Sequence, residues 1–239
     1  MNIINKTNLE YFAHTNEDIC KKPIKGIVLE FHGLGRGGRM VSEHSELAKD
    51  CGEKGLLYVF PYYGPWSWMN STAVKTVDAI VEAIFDKYSL EDNTPIISTG
   101  GSMGGLSALI YSRYAQRTPA ACAANCPVCD LQYHYMERVD LPRTIYHAFA
   151  HYNMPLEDAI KTASPIEQIK EMPHIPYYIV HTLEDTMVNK EKHSDTFVKA
   201  MRKLGHRVEY VEVPERDHLD LTEEALKGYN DFILSFGRE

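Results

Sequence analysis

The stretch "STGGSMGGLSAL", residues Ser98–Leu109, decides how this chain is read. Gly100, Gly101, Gly104 and Gly105 flank Ser102, between the apolar "PIIST" and a helical "GLSALIYSRYAQ". Glycines at a strand-to-helix turn have two common uses. They expose backbone amides to a phosphate, or they let the chain turn so sharply that one side chain is lifted out of the sheet. The phosphate reading lacks its own requirements here. No lysine follows the glycines, the spacing is not G-x-G-x-x-G, and the segment lies in the third strong strand rather than the first. The remaining reading is G-x-S-x-G, Gly100 to Gly104, with Ser102 as an exposed nucleophile.

Around this turn, short apolar runs alternate with helical patterns, which predicts a mostly parallel sheet with helices on both faces. The predicted strands are Gly26–Phe31, Leu56–Pro61, Pro95–Gly100, Ala120–Cys126, Tyr177–His181 and Val208–Val213. An antiparallel hairpin that includes Leu9–Thr15 is expected before them. The predicted helices are Ser42–Lys54, Ala73–Tyr88, Gly104–Gln116, Lys190–Leu204 and Thr222–Phe236; in the second, Val77, Ile80, Val81, Ile84 and Phe85 recur with helical period. Residues 128–174 are too long for a plain connection. They are read as a small cap inserted over the C-terminal edge of the sheet in a single domain spanning 1–239.

Composition narrows the function classes. The chain has 239 residues, 44% of them hydrophobic, and a formal net charge of −8. That balance suits a soluble globular protein and argues against a nucleic-acid or anionic-membrane surface. No apolar run approaches a membrane span or a signal h-region. Five cysteines without framework spacing fit a reducing compartment, so a cytoplasmic location is expected. The "CPVC" run has no second pair at zinc-ligand spacing and is read as buried or loop thiols, with Cys126 bordering the site. No metal or other cofactor is called for.

A serine hydroxyl is a weak nucleophile until a base takes its proton and a carboxylate orients that base. "IVHTLEDTMV" places Asp185 just past a strand end, and "VPERDHLD" places His218 in the loop after the last strand. The order Ser102, Asp185, His218 supplies nucleophile, acid and base at one sheet edge. His193 and His206 also follow the acid but are read as solvated residues on or after a helix. Glu184 and Asp217 are read as neighbouring charges, and Asp130 as the best substitute acid. The oxyanion of a tetrahedral intermediate needs two donors. These are assigned to the backbone amides of Met103 and of Leu34, in the "HGLGRGG" loop after the first strong strand. Tyr63, Trp66 and Trp68 in "PYYGPWSWMN" are candidates to line an acyl or aryl pocket, or equally to pack a loop.

The order His-Gly-x-Gly, G-x-S-x-G, Asp, His resembles the α/β-hydrolase superfamily over nearly the whole chain. "GGSMGG", "SPIEQIKEMPHIPYYIVHTLEDTMV" and "RDH" look like the catalytic domain of prolyl oligopeptidase-like hydrolases and related small esterases. The resemblance implies the triad Ser102, Asp185 and His218. The sequence departs from the family at Thr182, where Gly is usual, and at Glu184, where Asp is frequent. A chain of 239 residues leaves no room for the N-terminal β-propeller of the large peptidases. The expectation is therefore a serine esterase acting on a small-molecule ester. A peptidase, a thioesterase and a silent ligand-binding fold are the alternatives.

Overall fold

The computed structural model describes residues 3–36, 41 and 43–238. The apolar runs become β1 (Ala13–Thr15), β2 (Gly26–Phe31), β3 (Leu56–Pro61), β4 (Ile96–Gly101), β5 (Ala121–Asn125), β6 (Tyr177–Thr182) and β7 (Val208–Val213). They form one seven-stranded sheet in the order β1-β3-β2-β4-β5-β6-β7. Neighbours from β3 across to β7 are parallel, and β1 alone pairs antiparallel, with β3. The helices are α1 (Glu46–Lys54), α2 (Ser71–Tyr88), α3 (Met103–Tyr114), α4 (Leu131–Glu137), α5 (Leu141–Phe149), α6 (Leu156–Lys161), α7 (Pro165–Gln168), α8 (Thr196–Lys203) and α9 (Glu223–Leu234). This is the α/β-hydrolase architecture.

Strand alternation divides the interior into two cores. Ile27, Leu29 and Phe31 of β2 join residues of α2, α3 and α8 on one face; Val28 turns to the other, with α1 and α9. Tyr177 and Ile179 of β6 divide from Tyr178 and Val180 in the same way. Coverage on both faces is why these strands read as unbroken apolar runs rather than alternating ones. On α2, the stripe of Val77, Ile80, Val81 and Ile84 is buried. Each such side chain contributes about 1.5–3 kcal/mol of transfer free energy before ordering is subtracted. Asn70 starts this helix by accepting the Ala73 amide at 2.9 Å, which satisfies one of the donors a helix N-terminus leaves over.

Two turns of the chain position the site. After β3 the chain recrosses β2 to enter β4, so the loops leaving β2 and β4 diverge and open a crevice at the strands' C-terminal ends. α3 then packs so closely that a Cβ on Gly104 would lie 2.1 Å from the Phe31 carbonyl oxygen, and one on Gly100 would lie 2.6 Å from Gly104. Backbone cannot yield as a flexible side chain can. Gly104→Ala is therefore expected to destabilise the protein by about 3 kcal/mol. At this chain length that lowers Tm by about 6–12 °C, read by circular dichroism. An unchanged Tm would mean that α3 can withdraw from β2 freely.

Several expectations are corrected. Leu9–Tyr11 is a 3-10 turn and Ala13–Thr15 joins the main sheet edge, so the expected separate hairpin does not form. Three residues suffice because β3 supplies a ready edge. The first helix starts at Glu46 with Ser45 as its cap, and Ser42 lies outside the described residues. The expected helix Lys190–Leu204 divides into a π-helical turn, Glu191–Asp195, and α8. Between β5 and β6, residues 128–174 form α4 to α7 and a 3-10 turn. Among the described residues, no helix is long and apolar enough to cross a membrane.

Candidate active site

Ser102 stands between the last residue of β4 and the first of α3, at φ 58° and ψ −123°. A non-glycine residue there is strained by about 1–3 kcal/mol, so its neighbours must hold it. They do: the Ser102 amide donates to Asn125 O at 2.9 Å, and its carbonyl accepts from Leu106 N at 3.1 Å. The hydroxyl makes no capping bond to α3, which leaves it for chemistry. The first amides of α3 carry the positive end of the helix dipole to the same spot.

The loop after β2 crosses the end of β4. A Cβ on Gly33 would sit 3.8 Å from Gly101 O, and the turn is closed by Gly35 N donating to Pro65 O at 2.9 Å. Gly35 has φ +78°, a conformation that favours glycine. Among the described residues, neither the Leu34 nor the Met103 amide donates to a protein acceptor. The two assigned oxyanion donors therefore lie at the ends of adjacent strands, β2 and β4.

Asp185 lies in the loop after β6, with its side chain fully buried. Oδ1 accepts from the amides of Met187 and Val188, each at 2.8 Å. Oδ2 faces His218 Nδ1 at 2.7 Å and His181 Nε2 at 3.1 Å. Burial alone would raise this carboxyl. The hydrogen bonds from His181 and His218 overcome it and hold the group well below the usual carboxylate range. Asp185 is thus an anion with two imidazoles on one oxygen. His181 is in turn held by Ser194 Oγ, 2.7 Å from its Nδ1.

His218 sits between β7 and α9. Burial pulls its imidazole down, but Asp185, with a further contribution from Cys126, raises it to about 9. The loops carrying Asp185 and His218 are stitched together. Asp217 Oδ1 accepts from Thr186 N and Thr186 Oγ1 at 3.0 Å and from His218 N at 2.7 Å, and Glu184 N donates to Arg216 O at 3.1 Å. Asp217 and Glu184 are thus parts of the joint between the loops. Cys126 directly follows β5 at φ 44°, with Sγ 3.4 Å from Thr182 Oγ1. Cys126, His181 and Asp185 bring ligand-type atoms within 4.8 Å of one another. Both His181 nitrogens are already engaged, with Ser194 and with Val188 O and Asp185.

The three aromatic candidates separate. Trp68 is 1% exposed and donates from Nε1 to Thr144 Oγ1 at 3.1 Å, so it is a core residue that anchors α5. Tyr63 is buried too, its ring stacked on His32 at 4.3 Å between centroids. Trp66 is 42% exposed and lines a cleft of about 660 Å³ with Tyr63, Pro65, His147 and His151. The readings of His193 and His206 as solvated are corrected. His193 is fully buried, its Nδ1 facing the amides of Cys129 and Asp130, and His206 stacks on His174 at 4.3 Å. Asp130, the substitute acid, instead caps α4 by accepting from Tyr133 N at 2.9 Å. The contact of His181 with Asp185 has no sequence signal, because a buried histidine on a strand end has no periodic signature. All five cysteines are buried and free.

Known proteins share this fold. The fold is shared with a puromycin-hydrolyzing peptidase of Mycobacterium tuberculosis at TM-score 0.75 and 16% identity, covering 92% of this chain and 36% of that one. It is shared with an acylaminoacyl peptidase of Pyrococcus horikoshii at TM-score 0.70 and 15% identity, covering 90% and 36%. A putative esterase from Staphylococcus aureus matches at TM-score 0.66 and 17% identity, covering 92% and 78%. The chain therefore spans about a third of the two peptidases' length. A curated protein, ribosomal RNA small subunit methyltransferase A of Fusobacterium nucleatum, is 24% identical over 169 residues, covering 68% of this chain and 58% of that protein. Identity and coverage at that level show no family. A family model described as the prolyl oligopeptidase family matches residues 69–236, well over half of the chain and including the elbow, the acid loop and the base loop. The chain belongs to the prolyl oligopeptidase family, serine hydrolases of the α/β-hydrolase fold.

Proposed function

We propose that the chain hydrolyses carboxylic esters through an acyl-enzyme formed on Ser102. The observation that carries this reading is the 2.7 Å contact between His218 Nδ1 and the fully buried Asp185, at the sheet edge where Ser102 is held in a strained elbow. With Nδ1–H donated to Asp185, the other ring nitrogen is left with a lone pair to act as base. Ser102 Oγ attacks the ester carbonyl while His218 Nε2 takes its proton. The carbonyl oxygen becomes an oxyanion that the Leu34 and Met103 amides hold. Collapse breaks the bond to the alkoxy group, which leaves with the proton from Nε2–H. Water then repeats the sequence on the acyl-enzyme and releases the acid.

The fold shared with a putative esterase from Staphylococcus aureus supports the ester reading, and the fold shared with an acylaminoacyl peptidase supports an amide as the alternative. The test is a panel of p-nitrophenyl esters from acetyl upward, beside aminoacyl anilides and acyl thioesters, with fluorophosphonate labelling mapped by mass spectrometry. Ester turnover with the adduct on Ser102 is expected. Preference for anilides or thioesters would move the assignment to a peptidase or thioesterase. An unlabelled protein without turnover would leave a ligand-binding fold.

The base also sets the pH dependence. Only neutral imidazole can accept the Ser102 proton, so kcat/KM should rise with pH as His218 deprotonates. Its pKa is raised from 6.5 to about 9, which places the limb above the ordinary histidine range. An ester-hydrolysis profile already level at neutral pH would contradict the strength assigned to the Asp185–His218 bond.

A further inference from the structure

A half-buried carboxylate, Glu137, lies beside the acid loop, and the reaction above makes no use of it. Glu137 ends α4. Its Oε2 is 2.6 Å from His134 Nδ1 and 3.1 Å from His193 Nε2, and its Oε1 is 2.7 Å from the amide of Asn189. His134 and His193 are both buried, and the Glu137 side chain is 12% exposed. Three ligand-type atoms within 4.8 Å suggest a metal centre. The histidine tautomers argue against one. His193 Nδ1 faces two backbone donors, Cys129 N at 3.1 Å and Asp130 N at 3.0 Å. A nitrogen that accepts two N–H groups carries the lone pair, so the proton of the neutral ring sits on Nε2 and points at Glu137. A metal at Nε2 would require either an imidazolate or an N–H set against two N–H groups.

The cluster is instead one carboxylate with three donors aimed at it. Burial works against the charge, and the hydrogen bonds from His134, His193 and Asn189 outweigh it, bringing the group down to about 2. Those donors come from separate parts of the chain. His134 belongs to α4, in the segment between β5 and β6. His193 belongs to the π-helical turn that precedes α8. Asn189 closes the acid loop, just past the Met187 and Val188 amides that Asp185 accepts. The first half of the acid loop is located by its bonds to the loop that carries His218, and Val188 O meets His181 Nε2. Its far end is tied to α4 by the bond from Asn189 to Glu137.

We propose that Glu137 is a positioning residue for the hydrolysis: by holding Asn189 it sets the acid loop, and with it the angle at which Asp185 meets His218. The helices between β5 and β6 and the acid then move as one body. This inference rests on the Ser102–Asp185–His218 reading.

Glu137→Gln keeps the shape and tests the charge. If its one carbonyl oxygen serves the imidazoles, the amide NH2 is set against the Asn189 N–H; if it turns, the NH2 is set against two imidazole N–H groups. Misplacement of a catalytic group by about 1 Å can cost about 100-fold. The expected result is a fall in kcat of at least tenfold toward p-nitrophenyl butyrate, with KM within twofold. The downfield proton NMR signal of His218 Nδ1–H in the free enzyme should also shift or broaden. Asn189→Pro removes the N–H that Glu137 accepts, together with the Asn189 Oδ1 that accepts from Lys192 N, at an exposed position. It should reproduce both effects, which keeps the idea testable if Glu137→Gln does not fold. His134→Gln retains a donor toward Glu137 and leaves the Asn189 bond in place. It should lower Tm while leaving kcat and the signal near wild type. Wild-type kcat and an unmoved His218 signal in a folded Glu137→Gln or Asn189→Pro protein would overturn the proposal, whatever happens to Tm. The signal needs no turnover. If Ser102→Ala kept full activity, the triad reading would fail, and the NMR comparison would still decide whether Glu137 sets the Asp185–His218 contact.

Discussion

Ser102→Ala is expected to lower kcat toward p-nitrophenyl butyrate by about 10⁶-fold, because nucleophile and base act as a unit and losing either forfeits nearly all of their joint effect. The residue left by alanine keeps the backbone that the elbow depends on. Its amide still donates to Asn125 O and its carbonyl still accepts from Leu106 N. Removing a hydroxyl from a strained turn should leave Tm within a few degrees of wild type. A residual rate well above the uncatalysed one is expected from the Leu34 and Met103 amides and from binding alone. Fluorophosphonate labelling should disappear with the hydroxyl. Turnover equal to wild type would remove Ser102 from the reaction altogether.

Asp185→Asn is expected to cost about 10⁴-fold in kcat, with KM little changed. The reason lies in which atoms face the acid. Oδ2 accepts a hydrogen bond from His218 Nδ1 and lies 3.1 Å from His181 Nε2, and Oδ1 accepts from two backbone amides. An asparagine has one oxygen and two N–H groups, so it cannot satisfy both sides. With its oxygen toward Met187 and Val188, its NH2 faces His218 Nδ1 and favours the tautomer with the proton on Nε2. That tautomer cannot accept from Ser102. The result is a folded protein with a base in the wrong protonation state. A variant that retained more than about a tenth of wild-type kcat would show that His218 is oriented by something other than Asp185, such as the loop joint through Asp217.

These two effects differ in kind from the one expected at Glu137. In the proposed reaction, Ser102 and Asp185 take part in bonding changes or in the charge balance of the reacting groups. Glu137 touches neither, and acts only through where it holds Asn189. A tenfold loss with an intact KM is the signature of that indirect role, and it is separable from the far larger losses at the triad.

Much of the fold is legible in the sequence, for identifiable reasons. β2, β3 and β7 were bounded correctly because each is a compact apolar or alternating run flanked by breaks. The elbow was legible because only glycine fits where α3 meets Phe31 and β4. The errors cluster where a local pattern has more than one tertiary use. Leu9–Thr15 reads as a hairpin arm, yet β3 offered an edge nearer than any partner strand. Lys190–Leu204 has helical composition throughout, but the burial of His193 and Ser194 against Glu137 and His181 draws its first turn into a π-helix. Trp66 and Trp68 stand two residues apart, and nothing local says which will face solvent. The bond from Trp68 to Thr144 puts one in the core, and the other is left on the rim.

By itself, then, the sequence determined the sheet-and-helix rhythm, the elbow around Ser102, and the succession Ser102, Asp185, His218 that the proposed reaction uses. All of these are written in residues close together in the chain or in their succession. Only the tertiary structure decided which groups meet. It set two imidazoles on one oxygen of Asp185, placed His193 and Glu137 beneath the acid loop, and left Trp66 open where Trp68 is closed. Hydrogen bonds between residues dozens of positions apart depend on packing, because each donor's direction is set by the element that carries it and not by its neighbours in sequence.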